Sequence, residues 1–438
     1  MDADRAGAQQ PAADDALAAD PAAPVTGLSR RGVLALFGAG AGGLIVGGLG
    51  GAALGSTRGA AGRAGGTVHP FFGEHQAGIT TPVQENLHFA SFTMAAGTTR
   101  DDLVSLLKDW TYAASRITQG LDVSASGAVH GSPQAPPDDT GEALGLSAAA
   151  LTVTFGLGPS LFDERFGLAG RRPPELTELP PFAFEHLDSA LCGGDLAIQA
   201  CADDPQVAFH AVRNLSRIAF GRAHIRWSQL GFGRTSKTTA DQTTPRNLFG
   251  FKDGTANILA DDAAALAEHV WVPTVDGPGW MVGGSYLAVR TIRQRIEVWD
   301  RVRLTEQEQI FGRDKGAGAP LSGGDEFTPV DFDKRGGAGG LAVDVASHVR
   351  RAHPDTNGGV RILRRGYNFV NGNDATGNLD AGLFFLAYQR SPSRFITVQK
   401  SVATDLLAEY LVHVGSALFA VPPGASAGSF VGSGLFSG

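Results

Sequence analysis

The sequence predicts an α+β protein made of two ferredoxin-like modules, each an antiparallel sheet with helices packed on it. The first observation is an internal repeat: DLAIQACADDP, which ends at Pro205, aligns without gaps with GLFFLAYQRSP, which ends at Pro392. In both copies an apolar strand leads through a short polar turn to proline, a residue common at helix starts. The second observation is that strands and helices alternate in both halves, which favours a duplicated strand–helix–strand unit.

The remaining predicted elements follow from hydrophobic periodicity. Helices are predicted for QVAFHAVRNL after Pro205 and for SRFITVQKSV at Pro392. Earlier in the first half, the strand LHFASFTM precedes the helix RDDLVSLLKDWTYAAS. Earlier in the second half, the strand SYLAVRTI precedes the predicted helix RQRIEVWDRV.

These elements define four expected segments. Residues 1–60 form a disordered leader plus a signal peptide, 68–240 and 247–425 the two modules, and 426–438 a Gly/Ser-rich tail. The module boundary is expected in the polar stretch Thr235–Arg246. Glycine-rich loops at 316–324 and 336–340 are expected to be surface insertions.

The amino terminus predicts export. Residues 1–28 are rich in Ala, Asp and Pro, and Ser29-Arg30-Arg31 then precedes an apolar, glycine-laden run to about Leu54. Paired arginines before an apolar region and small residues are typical of a twin-arginine signal peptide, which is removed after export. The alternative is a transmembrane anchor, since about 20 apolar residues span a bilayer, but the many glycines lower the hydrophobicity of this run. We therefore expect an extracellular or cell-envelope protein with a cleaved signal.

Composition narrows the function classes. A net charge of -8, with no basic stripe, argues against a nucleic-acid partner. Of the two cysteines, Cys192 precedes and Cys201 ends the predicted strand DLAIQAC, so they are expected to be too far apart for a disulfide. The chain contains no CxxCH string for covalent haem attachment.

Two segments contain candidate catalytic and metal-ligand residues: NLFGFKDGTANI from Asn247 and SHVRRAHPDTNGGVRILRRGY from Ser347. A neutral imidazole such as His348 is a common axial ligand of haem iron. A carboxylate such as Asp253 can relay a proton between the two oxygens of a peroxide. A guanidinium such as Arg364 stabilises the charge that builds on the departing oxygen.

Each of these residues also has an ordinary interpretation. Asp253-Gly254 is a common turn dipeptide, and His348 is one of 11 histidines. Arg364 and Arg365 could be solvated charges at a strand edge.

Longer strings make the joint pattern more specific. From about His69 to Gly424 the chain resembles the dye-decolorising (DyP-type) haem peroxidases, and within them the branch that is exported by the twin-arginine route and called deferrochelatase/peroxidase. The family motif Gly-x-x-Asp-Gly reads here as Gly250-Phe251-Lys252-Asp253-Gly254. Family-like strings also begin at Gly193, Arg226 and Gly382. The resemblance implies the DyP-type fold, in which the second of two ferredoxin-like modules holds haem.

The resemblance assigns roles residue by residue. His348 is the implied proximal ligand of the haem iron, in a family string His-Ile-Arg-x-x-Asn-Pro that has His353 in place of asparagine here. Arg364 is the implied distal arginine and Asp253 the distal acid, with Arg365 and His353 the respective alternatives to Arg364 and His348. The other expected cofactor-binding residues are Gly254, Thr255, Ala256, Arg350, Pro354, Asp355, Leu383 and Phe385. Asp405 or Glu409 is expected to support His348.

The expected function is that of an exported peroxidase with one non-covalent haem b per chain. It would reduce hydrogen peroxide and oxidise dyes, phenols or metal ions. One alternative is a deferrochelatase-like role, in which iron is acquired from haem or ferrous iron is oxidised beside a membrane permease. Another alternative is a haem carrier without turnover. The sequence is also compatible with a homo-oligomer. Large donors could be oxidised at the surface through an aromatic residue; the candidates are Trp227, Trp271, Trp280, Trp299, Tyr286, Tyr367 and Tyr388.

Overall fold

The computed structural model describes residues 66–337 and 339–437. The first half of this part contains strand β1 (Asn86–Met94), helix α1 (Arg100–Ile117), β2 (Thr152–Leu157), β3 (Leu196–Ala202), α2 (Pro205–Ala219) and β4 (Ala223–Arg234). The second half contains α3 (Ala263–His269), β5 (Ser285–Gln294), α4 (Ile296–Trp299), α5 (Leu304–Phe311), α6 (His348–Ala352), β6 (Leu363–Arg364), β7 (Tyr367–Asn373), β8 (Leu379–Gln389), α7 (Pro392–Val402), β9 (Leu411–Val421) and α8 (Ser433–Phe436).

Both halves use the same antiparallel strand order, which confirms the predicted α+β duplication. The order is β2-β3-β1-β4 in the first half and β7-β8-β5-β9 in the second. Pairing of β4 with β7 and of β2 with β9 joins the halves, so that all strands of the sheet except β6 form a closed ring. The short strand β6 pairs with the end of β8.

The two repeated strings occupy equivalent places. β3 and β8 each lie between two other strands, and β3 is buried along its whole length. Burial on both faces explains why these strands are near-continuous apolar runs rather than alternating ones. The Tyr388 hydroxyl on β8 donates to Gln199 Oε1 on β3 at 2.8 Å inside the ring.

The helices after these strands begin in the same way, as predicted. Asp204 caps α2 by accepting from the Gln206 amide, and Ser391 caps α7 by accepting from the Ser393 amide. Each cap is followed by proline at the first helical position, where its missing N–H leaves no hydrogen bond unmade.

The core of the first half centres on Trp110 of α1. Its indole stacks on Phe155 with ring centroids 5.5 Å apart, and its Nε1 donates to the Leu215 carbonyl at 2.8 Å. The α1 helix begins with a capping box between Thr99 and Asp102. The predicted tail also contributes, since Val431 and Leu435 are buried in this core.

Two local expectations need correction. The predicted helix RQRIEVWDRV is only the four residues of α4, because Arg293 and Gln294 still belong to β5 and the chain turns after Trp299 before α5 begins. In the loop 336–340, Gly337, Gly339 and Gly340 are exposed and Gly336 is half-buried, but the loop 316–324 buries Gly318, Pro320 and Ser322. Thr235 to Thr238, at the start of the stretch expected to hold the module boundary, are buried.

The structure also bears on the cysteines and on membrane-spanning helices. Cys192 and Cys201 are both free thiols, as expected. Within residues 66–337 and 339–437, none of the helices has the length and apolar character needed to cross a membrane. The twin-arginine segment lies outside the described residues.

The seam between β5 and β8 gives a test of the fold. A Cβ on Gly382 would lie 2.0 Å from the Ile292 carbonyl oxygen of the neighbouring strand. We expect Gly382→Ala to lower the free energy of unfolding by about 1–3 kcal/mol, because the paired backbones must separate to admit it. Denaturant titration followed by circular dichroism measures this.

Gly170→Ala is the matched control, since a Cβ there meets no atom within 4 Å. Equal stability of the two variants would show that β5 and β8 are not packed as described.

Candidate functional site

A cavity of about 540 Å³ lies in the second half of the chain. Its walls come from β5, β8 and β9, from helices α6 and α7, and from the turn that contains Asp253. Three of the predicted residues line it together: Asp253, His348 and Arg364. The sequence places these residues far apart, so the fold has assembled them.

The turn around Asp253 is built by its own neighbours. Arg246 and Lys252 form an antiparallel bridge, and the Asp253 amide donates to the Pro245 carbonyl at 2.9 Å. Gly254 has φ +97°, and a Cβ there would lie 2.7 Å from Ser236 Cα. Glycine is therefore required directly after the acid, both for the backbone angle and for the close approach.

Asp253 and Arg364 form an ion pair in the cavity wall. Arg364 Nη1 donates to Asp253 Oδ1 at 2.5 Å, and Asn247 Nδ2 donates to the other carboxylate oxygen at 3.3 Å. Their side chains are 15% and 28% exposed, so both are reachable from the cavity. A charge-assisted bond of this kind fixes the direction of both side chains.

Asn257 clamps the Asp253 turn to strand β6. Its Oδ1 accepts from the Arg364 amide and its Nδ2 donates to the Arg364 carbonyl, both at 2.8 Å. The same Nδ2 also donates to the Lys237 carbonyl at 2.8 Å. Both backbone groups of Arg364 are thus held by one amide side chain, a role that the sequence did not reveal.

Arg365, the alternative distal arginine, points away from the cavity. It is fully buried and donates to the Thr81 carbonyl at 2.6 Å and to Gln84 Oε1. Because successive side chains of a strand point to opposite faces, only one of the two arginines can face the cavity. The structure assigns that position to Arg364.

His348 is the first residue of α6 and is oriented by Asp405. His348 Nδ1 lies 2.6 Å from Asp405 Oδ2, and Asp405 Oδ1 accepts from the Ala408 amide at 2.9 Å. An aspartate at Nδ1 fixes the tautomer that leaves Nε2 free as a ligand atom. Of the two acids expected to support His348, Asp405 fills the role.

Charges around the imidazole change its proton affinity. Burial alone would lower the pKa of His348, but the carboxylates of Asp405 and Asp253 outweigh burial and raise this pKa. Arg364 acts in the lowering direction. Both members of the ion pair therefore lie close enough to His348 to influence its pKa.

Most of the other expected cofactor-binding residues also line the cavity: Gly254, Thr255, Ala256, His353, Pro354, Leu383 and Phe385. Arg350 and Asp355 are not among its lining residues. Arg350 Nη1 instead donates to the Phe332 carbonyl at 2.9 Å and its guanidinium lies over the Phe332 ring, while Asp355 is exposed.

The cavity contains charged groups that sequence reasoning missed. Lys252 forms an ion pair with Glu326, and the Thr255 hydroxyl donates to the same carboxylate at 3.2 Å. Hydrogen bonds from Lys252 and Thr255 overcome the effect of burial and lower the pKa of Glu326. Glu326 lies in a loop with no periodic pattern, so the sequence did not point to it. Lys252 could have been found, because it precedes Asp253 in the Gly-x-x-Asp-Gly motif.

The residues of the cavity fit a haem. His348 offers a free ring nitrogen, and its accessible surface, 34% of the side chain, faces the cavity. Apolar side chains such as Phe311, Phe385 and Phe395 supply flat walls for a porphyrin, and the ion pair supplies an acid and a cation. A haem held here would supply the iron for peroxide chemistry, and these side chains would supply orientation and charge.

The aromatic residues considered as surface oxidation sites are mostly interior. Trp227, Trp280, Trp299, Tyr286, Tyr367 and Tyr388 are all buried. Trp271 is partly exposed and stacks on His75 with ring centroids 3.7 Å apart.

Comparison with protein families matches both halves. Residues 76–233 match the Dyp-type peroxidase N-terminal domain, and residues 244–426 match the Dyp-type peroxidase C-terminal domain. Deferrochelatase of Escherichia coli O157:H7 is 40% identical over 374 residues, which cover 84% of this chain and 86% of that protein. Deferrochelatase of Shigella sonnei is 40% identical over 375 residues, with the same coverage.

Solved structures agree with these matches. An oxyferrous complex of DtpA from Streptomyces lividans has a TM-score of 0.78 and 40% identity, and the match covers 85% of this chain and 98% of that one. A DyP-type peroxidase from Cellulomonas bogoriensis has a TM-score of 0.77 and 38% identity, over 86% of this chain and all of that one. On the strength of both domain matches and these relatives, the chain belongs to the Dyp-type peroxidase family, whose enzymes use haem.

Proposed function

We propose that this protein is an exported peroxidase in which Asp253 and Arg364 handle the peroxide and His348 holds one non-covalent haem b per chain. The observation that carries this proposal is the 2.5 Å ion pair of Arg364 with Asp253 in the cavity that His348 also lines. Non-covalent binding is supported by Cys192 and Cys201, since neither lines the cavity. Export is supported by Arg30 and Arg31 before the apolar run.

The side chains divide the chemistry between them. The Asp253 carboxylate accepts a proton from one peroxide oxygen and returns it to the other as the O–O bond breaks. Arg364 stabilises negative charge on the departing oxygen and keeps Asp253 aimed at it. Asp405 makes the His348 imidazole more electron-rich, because an anionic partner at Nδ1 raises the basicity of the ring.

A second function, removal of iron from haem, is supported by the name of the relatives at 40% identity, deferrochelatase. It would use the same cavity. A carrier without turnover needs neither the acid nor the cation in the cavity wall, so the ion pair argues against it. Assays of peroxide-dependent dye oxidation, run beside assays of iron and free porphyrin release from haem, separate the three functions.

Asp253→Asn should retain haem and slow the reaction with hydrogen peroxide by about 10²–10⁴-fold, because the amide cannot relay the proton. Stopped-flow absorption of the haem band measures the rate. Asp300→Asn is the control. It alters an exposed carboxylate that does not line the cavity, so this variant should react like the wild type. If Asp253→Asn reacts as fast as the wild type, the acid role belongs elsewhere.

His348→Ala should lose haem or shift its absorption bands, because the variant lacks the axial imidazole. The measurement is a haem titration followed by absorption spectroscopy. His353→Ala tests the neighbouring imidazole and should keep the wild-type spectrum. The reverse pattern would make His353 the ligand.

Asp405→Asn should weaken haem affinity by about 10–100-fold, because an amide orients the imidazole less firmly and lacks the charge. Transfer of haem to an excess of apomyoglobin gives the dissociation rate. Glu409→Gln is the matched control, as its carboxylate makes no bond to His348. Identical rates for the two variants would contradict the supporting role of Asp405.

A further inference from the structure

One wall of the cavity belongs to no strand or helix. It is part of the long connection between β2 and β3, where Ala183 and Phe184 line the cavity. Both residues are also exposed to solvent, and Phe184 is 65% exposed. Residues 182–185 (the strap) therefore separate the cavity from solvent by the thickness of a single segment of chain.

The strap has few backbone bonds to the rest of the chain. Within the described residues, no backbone group of 178–183 bonds to the backbone of a strand or helix. The Phe182 amide donates instead to the Glu185 carboxylate at 3.0 Å, a bond inside the strap. The strap reaches the sheet only at Glu185, which forms a single parallel bridge with His413 on β9. Segments with so few bonds open locally at a low cost in free energy.

Phe184 has a strained backbone conformation. Its φ is +63°, in the left-handed region, which disfavours a bulky side chain. Among the described residues other than glycine, only Ala149 and Ala150 also have a positive φ. Strain of this kind persists only where the surrounding structure enforces it. Outward movement of the strap would release the strain, so the strain at Phe184 favours opening.

Arg290 holds the strap against the sheet. Arg290, on β5, forms an ion pair with Glu185, and the two side chains are only 1% and 9% exposed. Its guanidinium also lies 5.5 Å from the centre of the Phe182 ring. Glu185 is the only carboxylate that pairs with Arg290 among the described residues. Opening of the strap would leave a buried arginine without its carboxylate, which is costly. The ion pair therefore opposes the strain at Phe184 and keeps the strap closed.

Other walls of the cavity are held more firmly. A second loop lines the cavity at Glu326, but Lys252 and Thr255 bind the carboxylate of this residue, and Arg313 Nη1 donates to its carbonyl at 3.0 Å. The walls from β5, β8 and β9 belong to the closed ring of strands. Haem is a rigid plate much larger than one side chain, so it enters only where a whole segment of backbone moves. The strap is the wall that can move at the lowest cost.

We propose that the strap opens to let haem enter and leave the cavity, and that the ion pair of Arg290 with Glu185 is the latch that closes it. This inference rests on the proposed function, because it requires haem in this cavity. Neither Arg290 nor Glu185 lines the cavity. The latch therefore controls how fast haem exchanges rather than how tightly it binds, since the same opening precedes both entry and exit.

The test measures both rates of haem exchange in Glu185→Gln, which keeps the size of the side chain and removes its charge. Association is followed by haem absorption after the full chain, stripped of haem, is mixed with carbonmonoxy-haem. Dissociation is followed by transfer of haem to an excess of apomyoglobin. Both rates should rise about tenfold, and their ratio, the dissociation constant, should change by less than about threefold. Glu178→Gln, which alters an exposed carboxylate of the same connection, should match the wild type.

A second variant tests the strain and replaces Glu185→Gln if that variant fails to fold. Asparagine adopts a positive φ more readily than phenylalanine, so Phe184→Asn should stabilise the closed strap and slow both rates roughly threefold.

The proposal is overturned if Glu185→Gln exchanges haem at the rates of Glu178→Gln. It is also overturned if only dissociation becomes faster, because Glu185 would then support bound haem rather than its passage. Failure of the proposed function is a separate result, in which the exchange rates respond as expected but the haem absorption of the wild type does not change with peroxide. A wild type that takes up no haem overturns both.

Discussion

The contact between Arg364 and Asp253 joins segments 111 residues apart, and the candidate site is organised around it. One partner comes from a glycine-flanked turn and the other from a strand of two residues, so neither element holds its position alone. Asn257 adds two hydrogen bonds that tie the same two segments together, and a third that joins the Asp253 turn to Lys237. Removing one partner of such a pair costs more than the pair contributes, because it leaves the other charge half-buried and unpaired. Partial exposure of both side chains reduces that cost through solvent screening.

The closed ring of strands keeps the strand-built walls of the site rigid. Strands β5 and β8 each have neighbours on both sides, so their cavity faces cannot shift without breaking the ladder. The chemistry-bearing residues lie at the ends of elements: His348 begins α6, Asp405 follows α7 and Arg364 ends β6. Short ends can be aimed by one or two hydrogen bonds, as Asp405 aims His348 and Asn257 aims Arg364. Rigid strands and oriented termini together give the preorganisation that electrostatic catalysis requires.

Much of the fold and of the candidate site could be predicted from the sequence, because these parts depend on local patterns. The strands around Gln199 and Tyr388 carried the repeat, the prolines marked the helix starts, and Asp253-Gly254 marked the turn. The failures have physical reasons. Arg364 and Arg365 are chemically identical, and only the register of β6 on β8 decides which faces the cavity. Gln294 and His413 reach the cavity through strand pairing, and Glu326 through an ion pair with Lys252, and no local pattern encodes these long-range contacts. The predicted helix at α4 is short because its first two residues belong to β5.

The site described above requires that one imidazole hold iron in the cavity lined by the Arg364–Asp253 pair. Anomalous diffraction at the iron absorption edge, from crystals of the haem-loaded protein, tests it most directly. We expect a single iron peak inside this cavity, at bonding distance from His348 Nε2. An iron peak bonded to His353, or one outside the cavity, would contradict the account.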